Sequence, residues 1–147
     1  MKWAVCLMQD KVELALKVAT KAHEGQLDKA GNIYIEHPKY VASLVKEDNE
    51  KIVALLHDTI EDTTVTFEEL EQYGFDKEII DALKLLTHDS KVKYFDYIDK
   101  IKTNELARKV KIADLTHNSD ISRIKELTQK DNERIVKYKK ALEMLSN

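Results

Sequence analysis

The sequence predicts an all-α protein, and three observations support that prediction. Of the 147 residues only three are glycine and one is proline, which leaves little material for the tight turns of β-hairpins. Charged residues make up 35% of the chain, and leucine, isoleucine, alanine, lysine and glutamate are abundant, a composition that favours helices. Apolar residues also recur at helical spacing along much of the chain. The length suits one domain, predicted to span residues 1–147.

The N-terminal third predicts two helices separated by a loop. Apolar side chains recur at helical spacing over residues 9–23, which predicts the first helix. The loop that follows contains Gly25 and Gly31, and Pro38 favours the first turn of a helix that runs to about residue 46. His37 is therefore expected at, or just before, the start of this second helix.

The rest of the chain predicts helices with recognisable starting residues. Asp48 or Asn49 is expected to cap a central helix that continues to Asp62. Thr66 followed by Glu69 is a capping-box signal for the next helix. Later helices are predicted near residues 67–73, 76–87, 91–102, 103–117 and 131–145, with caps at Asp76 and at Thr128 or Asp131.

Charge and composition exclude several function classes. The net charge is −3 and the isoelectric point about 6.0, so no binding to nucleic acid or to an anionic membrane surface is expected. The chain contains no apolar run of the length that crosses a membrane, and its N-terminus has no long apolar segment like that of a signal peptide. The single cysteine, Cys6, agrees with a reducing cytoplasm, the predicted location. The sequence leaves the oligomeric state open.

The segment around His57 and Asp58 is the first candidate for chemistry. The apolar run Ile52–Leu56 leads directly into these two residues, so the central helix carries them toward the protein interior. Helical spacing brings Glu61 and Asp62 onto the same face. A carboxylate buried without a partner is costly, and a cation or a metal ion is the usual remedy. The pattern predicts a metal site with acid–base residues beside it.

Two further residues can complete such a site. His37 lies where a loop enters a helix, and Asp114 follows apolar helical residues in the same way as Asp58. Two histidines and two aspartates together suit Mn²⁺, Fe²⁺, Co²⁺, Ni²⁺ or Zn²⁺ better than Mg²⁺ or Ca²⁺. The wide spacing of the four residues along the chain is unlike that of a structural zinc finger.

Four segments resemble the hydrolase domain of the RelA/SpoT enzymes and of their small stand-alone relatives, within the HD phosphohydrolase superfamily. The resemblance covers about residues 10–145, and the four motifs occur in the family's order. They are Ala22–Gln26, Tyr34–Pro38, Leu55–Thr63 and Lys111–Asn118.

This resemblance implies an all-α HD-domain bundle around a metal site, and a manganese-dependent hydrolase that converts the guanosine alarmone ppGpp to GDP and pyrophosphate. By motif position, Glu61 and Asp62 would activate and orient the attacking water, while Lys29 and Asn118 would contact the substrate. The implied metal ligands are His37, His57, Asp58 and Asp114.

The sequence also departs from the family pattern on the substrate side. Asp28 occupies the loop position where the family usually has an arginine that stacks on the guanine base, and Ser119-Asp120-Ile121 replaces the usual Met-Arg-Thr. The alternatives are therefore an HD phosphohydrolase for another nucleotide or small phosphoester, and a nucleotide-binding regulatory module without catalysis. A second, synthetase domain like that of the long family enzymes is not expected.

Overall fold

The structure, a computed structural model, describes residues 11–28, 31–120, 122 and 126–146. Helices joined by short turns make up most of this part of the chain, and its strand-like pairing is limited to one antiparallel bridge between Leu27 and Ile33. The all-α prediction is therefore confirmed, while the domain boundary at 1–147 stays a prediction. Among the described residues, no helix combines the length and the apolar character that crossing a membrane requires. The helices are α1 (Lys11–Ala22), α2 (Glu36–Ser43), α3 (Asp48–Leu56), α4 (Thr59–Asp62), α5 (Phe67–Gln72), α6 (Lys77–Leu86), α7 (Tyr94–Ile101), α8 (Glu105–Asn118) and α9 (Gln129–Ser146).

Several helices begin at the residues that the sequence predicts. The Thr66 side chain accepts a hydrogen bond from the backbone N–H of Glu69 at the start of α5, and Asp76 caps α6 in the same way. Just before α9, the Thr128 hydroxyl accepts from the backbone N–H of Asp131. These side chains satisfy N–H groups that have no partner inside the helix, which defines where each helix starts.

The cap predicted for the central helix is wrong. Its N-cap is Glu47, not Asp48 or Asn49, and Glu50 forms a reciprocal capping box with it. The Glu47 side chain accepts from the backbone N–H of Glu50, while the Glu50 side chain accepts from that of Glu47. Two N–H groups are thus satisfied together, and Asp48 remains in the first turn, where a negative charge favours the helix dipole.

The central helix is also shorter than predicted. It ends at Leu56 instead of Asp62, and a separate turn of helix, α4, begins at Thr59. The Thr59 hydroxyl donates to the Leu56 carbonyl, and the His57 ring bonds to the Ala54 carbonyl. Side chains that occupy these carbonyls compete with the backbone N–H groups that would continue the helix. The interruption therefore falls at His57, inside the predicted site.

Helix α3 occupies the centre of the described structure, because α1, α2, α6 and α8 all pack against it. Every residue from Ile52 to Leu56 is buried, which explains why the apolar run covers all sides of the helix. Since α3 ends within this packing, the residue that follows it is buried too, and His57 is only 4% exposed.

Candidate active site

The four predicted metal-binding side chains come together at the C-terminal end of α3. His37 lies in the first turn of α2, and His57 and Asp58 form the turn between α3 and α4. Asp114 lies in α8, which packs against both α2 and α3. Packing of these three helices thus gathers residues that are far apart in the sequence.

Two carboxylates and two imidazole nitrogens face each other in this cluster. The Nε2 atom of His57 lies 3.1 Å from Oδ2 of Asp58 and 3.2 Å from Oδ1 of Asp114. The Nε2 atom of His37 lies 2.8 Å from the same Asp114 oxygen and 4.0 Å from Oδ2 of Asp58. Potential ligand atoms of His37, His57 and Asp58 all lie within 4.8 Å of one another. The structure brings the four side chains together, while their function as ligands stays a prediction.

The orientation of the His57 ring is fixed by the backbone. Its Nδ1 atom lies 2.5 Å from the carbonyl oxygen of Ala54, which can only accept a hydrogen bond, so Nδ1 carries a hydrogen and Nε2 faces the carboxylates. Burial alone would lower the pKa of His57, but Asp58 and Asp114 outweigh it and hold that pKa well above its ordinary value. The proton on His57 thus balances carboxylate charge, as a bound cation would.

Asp114 is held by two further side chains of its own helix. Its Oδ2 lies 3.1 Å from the Lys111 ammonium, and its Oδ1 accepts a hydrogen bond from the Asn118 amide at 3.1 Å. Burial would raise the pKa of Asp114, but Lys111 and His57 outweigh it and hold that pKa well below its usual range. Asp114 is therefore ionised. Asn118, predicted to contact the substrate, supports Asp114 here, and its substrate contact stays a prediction.

Tyr34 is a site residue to which the sequence pattern assigned no function. Its hydroxyl donates to Oδ2 of Asp58 at 2.5 Å. Burial, and then the Asp58 charge, raise the pKa of Tyr34, so the hydroxyl keeps its proton and remains a donor. Burial of Asp58 would raise its pKa, but His57 outweighs this and lowers it to about 2. The only sequence signal was the position of Tyr34 within the motif that contains His37.

Glu61 and Asp62 lie on α4, beside the cluster. One carboxylate oxygen of Glu61 accepts a hydrogen bond from the backbone N–H of His88, in the turn after α6. Partial burial, and then the Asp58 charge, raise the pKa of Glu61, and the same two causes raise the pKa of Asp62. A raised pKa brings a carboxylate closer to the range in which it accepts a proton effectively at neutral pH. Their action on water stays a prediction.

The first motif, Ala22–Gln26, supports α4 from the other side. The Gln26 amide nitrogen donates to the Asp62 carbonyl at 3.0 Å, so the Gln26 amide oxygen is left to face Nδ1 of His23, 3.1 Å away. The His23 ring is buried and lies against Tyr34, with the ring centroids 4.8 Å apart. His23 and Gln26 therefore connect the end of α1 to the helix that carries the predicted water-activating carboxylates.

The loop between α1 and α2 borders a cavity of about 700 Å³ that reaches His37. Asp28 lines this cavity, and its Oδ1 accepts a hydrogen bond from the Asn32 backbone N–H at 2.9 Å. The Asp28 carboxylate thus helps to close the turn of the loop. Lys29, predicted to contact the substrate, lies outside the described residues.

The donor set fits a divalent transition metal. Two imidazoles, the buried carboxylate of Asp114 and the partly buried carboxylate of Asp58 lie side by side, a combination that such ions prefer. The outer partners that usually orient metal ligands are present as well: the Ala54 carbonyl holds His57, the Tyr34 hydroxyl holds Asp58, and Lys111 holds Asp114. The cluster can therefore hold a divalent metal ion, although the donor set does not single out one metal.

The raised pKa of His57 makes metal affinity depend on pH. A metal ion competes with the Nε2 proton, so affinity should fall as the pH falls, by about tenfold per pH unit for each proton displaced. Chelator-competition titrations with Mn²⁺ across the neutral range would measure this slope. Calorimetry in buffers of different ionisation enthalpy should show proton release, and an affinity that does not change with pH would contradict the expectation.

Sequence comparisons connect the chain to ppGpp-metabolising proteins. The SpoT protein of Escherichia coli K12, named a bifunctional (p)ppGpp synthase/hydrolase, is 36% identical over 74% of this chain. A guanosine-3′,5′-bis(diphosphate) 3′-pyrophosphohydrolase of Haemophilus influenzae is 37% identical over 69% of the chain. Each match covers 17% of the relative's own length, so the chain corresponds to a small part of these proteins. The sequence matches no protein-family model.

The fold has a relative among solved structures. A metazoan orthologue of SpoT, described as hydrolysing ppGpp, superposes with a TM-score of 0.76 at 21% sequence identity. The match covers 92% of this chain and 84% of the other. At that identity the likeness defines the fold. In sequence the chain is thus similar to a part of SpoT and of a ppGpp pyrophosphohydrolase, and its all-α fold is like that of a metazoan SpoT orthologue.

Proposed function

We propose that the chain is a metal-dependent phosphohydrolase that removes the 3′-pyrophosphate of ppGpp. The observation that carries the proposal is the cluster of His37, His57 and Asp58, whose potential ligand atoms lie within 4.8 Å of one another. An oxygen of Asp114 lies within 3.2 Å of both imidazoles, and Glu61 lies on the adjacent helix turn. The relationship to pyrophosphohydrolases of this alarmone supports the substrate. Manganese is the proposed metal, and a cytoplasmic location, expected from the sequence, stays a prediction.

The residues divide the work of hydrolysis between them. A bound divalent ion supplies Lewis acidity toward water and the phosphoryl oxygens. Glu61, positioned by the His88 N–H, takes a proton from the attacking water, whose oxygen forms a bond to phosphorus. The bond between phosphorus and the 3′ oxygen breaks, and that oxygen takes up a proton, which gives GDP and pyrophosphate. Asp62 orients the water, while Tyr34 and Lys111 keep Asp58 and Asp114 in place.

A direct assay tests this proposal. Protein freed of metal with a chelator and reloaded with Mn²⁺ is incubated with ppGpp, and the products are separated by chromatography. We expect GDP and pyrophosphate in equal amounts, and none without metal. A relative such as E. coli SpoT serves as the positive control. If it turns over ppGpp while this protein does not, the alarmone assignment fails.

Hydrolysis of a different nucleotide or small phosphoester is the second candidate, and the cavity beside His37 favours it. Asp28 and Glu36 each bring a carboxylate to the cavity wall, and the Glu36 carboxylate pairs with the Lys39 ammonium at 3.6 Å. The Asp28 carboxylate can accept hydrogen bonds from the base or sugar of a substrate, and it cannot stack on a base as an arginine would. A panel of nucleotides and phosphoesters tested under the same metal conditions would separate this candidate from ppGpp hydrolysis.

Replacing Asp28 with arginine is expected to raise kcat/KM for ppGpp by about tenfold. A guanidinium at this position removes a repulsive charge and can stack on a base, an interaction worth about 1–2 kcal/mol. The turn should survive, because two backbone hydrogen bonds, from Asp28 N to Asn32 O and from Gly31 N to Asp28 O, also close it. Steady-state kinetics would measure the change.

Asp28→Asn is the matched control for that substitution. Asparagine keeps an oxygen that can accept from Asn32 and removes the charge without adding a guanidinium. If the Asp28→Asn variant is as active as the Asp28→Arg variant, the whole effect is assigned to lost repulsion. No gain in either variant would mean that Asp28 does not limit ppGpp hydrolysis.

A further inference from the structure

The two histidines of the proposed metal centre must each present the same ring nitrogen, Nε2. For His57 a backbone carbonyl ensures this, because Nδ1 donates to Ala54. For His37 the partner of Nδ1 is a side chain, and the Nδ1 atom of His117 lies 2.7 Å away. Metal-bound histidines usually donate their other ring N–H to an acceptor that fixes the ring. His117 occupies the place of that acceptor.

Helices α2 and α8 hold His117 in a defined position. Its ring is nearly parallel to that of His37, at an interplanar angle of 12° with the centroids 4.9 Å apart. The His117 ring also stacks on the Tyr40 ring, with an interplanar angle of 22° and the centroids 4.3 Å apart. Tyr40 lies one helical turn after His37, and His117 lies one turn after Asp114. Helices α2 and α8 therefore carry the proposed ligands His37 and Asp114, and α8 also carries His117, which contacts His37.

The short distance between the two nitrogens constrains their hydrogens. Two ring nitrogens 2.7 Å apart form a hydrogen bond only if one carries a hydrogen and the other offers a lone pair. Binding a metal through Nε2 requires that atom to be free of hydrogen, so a neutral His37 keeps its hydrogen on Nδ1. The Nδ1 of His117 must then be the acceptor.

We propose that His117 is a positioning residue that accepts the Nδ1 hydrogen of His37 and so selects the tautomer of His37 able to bind metal. This inference rests on the proposed metal centre. Without a metal, Nε2 of His37 can carry the hydrogen and donate to Asp114, 2.8 Å away, and the His117 acceptor is what offsets that tautomer. That tautomer cannot bind a metal through Nε2, so the loss of His117 weakens metal binding without removing a ligand.

Two substitutions separate hydrogen bonding from packing. His117→Phe keeps a ring against Tyr40 and removes the acceptor, whereas His117→Asn removes the ring and retains an oxygen close to the former Nδ1 position. Competition with a chromogenic chelator at fixed neutral pH gives the Mn²⁺ affinity of each variant. We expect the Phe variant to bind about 10- to 100-fold more weakly than wild type, and the Asn variant to recover most of the affinity. Thermal unfolding in excess chelator reports whether each variant folds.

A spectroscopic measurement reads the tautomer itself. Long-range ¹H–¹⁵N correlation spectra of zinc-loaded wild type should place the His37 hydrogen on Nδ1 and the His117 hydrogen on Nε2, which leaves Nδ1 of His117 as the acceptor. A spectrum that places the His117 hydrogen on Nδ1 would overturn the inference. So would a Phe variant with wild-type Mn²⁺ affinity, or an Asn variant as impaired as the Phe variant, since either result would leave His117 a packing function only. Neither measurement uses ppGpp, so the function proposed for His117 stands even if ppGpp is not the substrate. If wild-type protein binds no metal, both the proposed metal centre and this inference are wrong.

Discussion

Replacing Asp58 with asparagine should abolish hydrolysis, lowering kcat/KM by about a thousandfold or more. The substitution removes one of two carboxylates that face the imidazoles of His37 and His57, and an amide is a much weaker ligand for a divalent ion. Stabilisation of transition-state charge by a bound ion is worth several kcal/mol, and each 1.4 kcal/mol corresponds to about a factor of ten in rate. Mn²⁺ content after dialysis and ppGpp turnover would be measured together.

The fold should survive this substitution. Asparagine has nearly the same shape, and its side-chain oxygen can still accept from the Tyr34 hydroxyl. Asp81→Asn is a suitable control, because it removes a carboxylate from an exposed ion pair with Lys77, which contributes little to stability. Full turnover by the Asp58→Asn variant would show that Asp58 is dispensable and would remove the central support for the metal site.

The sequence predicted the helices well where their starting signals are local. The side chains of Thr66 and Asp76 are short and polar, and each accepts a hydrogen bond from the backbone N–H three residues later. An N-cap of this kind can be predicted from neighbouring residues alone. The cap at Glu47 was missed because it depends on Glu50, whose position is also favoured by an ion pair with Lys109 on α8. Contacts between helices of that kind are not encoded in local spacing.

The break after Leu56 was missed for a related reason. Periodicity over Ile52–Asp62 is compatible with one continuous helix, and nothing in it shows that the side chains of His57 and Thr59 bond to carbonyls of the preceding turn. Those bonds turn the chain at the site. An interruption of a regular helix is expected at a functional position, because the backbone there must place particular side chains in the site.

The candidate site shows the same division between motif residues and their supports. His37, His57, Asp58 and Asp114 were identified together because carboxylates beside apolar helical runs stand out, and because their order resembles that of a family. Their supports carry weaker signals. The Ala54 carbonyl and the His88 N–H are backbone groups, which any residue provides, and they enter the site only through the path of the chain. The sequence therefore identifies candidate metal-binding side chains more easily than the groups that orient them.

Replacing Glu61 with glutamine should separate proton transfer from metal binding. Glutamine retains a side-chain oxygen that can accept from the His88 N–H, so the side chain should keep its place. It can no longer take a proton from water, and the loss of a general base typically costs a factor of about 10² to 10⁴. We expect kcat to fall by that amount, with KM and Mn²⁺ affinity unchanged. Glu68→Gln, on the exposed side of α5, is the matched control.

The pH profile makes this substitution more specific than a loss of activity alone. Glu61 acts as a base only when ionised, so at saturating metal the wild-type rate should rise with pH through the pKa of Glu61. That pKa is raised, first by partial burial and then by the Asp58 charge, so the rise should occur at a higher pH than for an ordinary glutamate. In the Glu61→Gln variant this part of the profile should disappear. If it persists and Asp62→Asn removes it instead, then Asp62 is the base and Glu61 orients the water, because the pKa of Asp62 is raised by the same two causes.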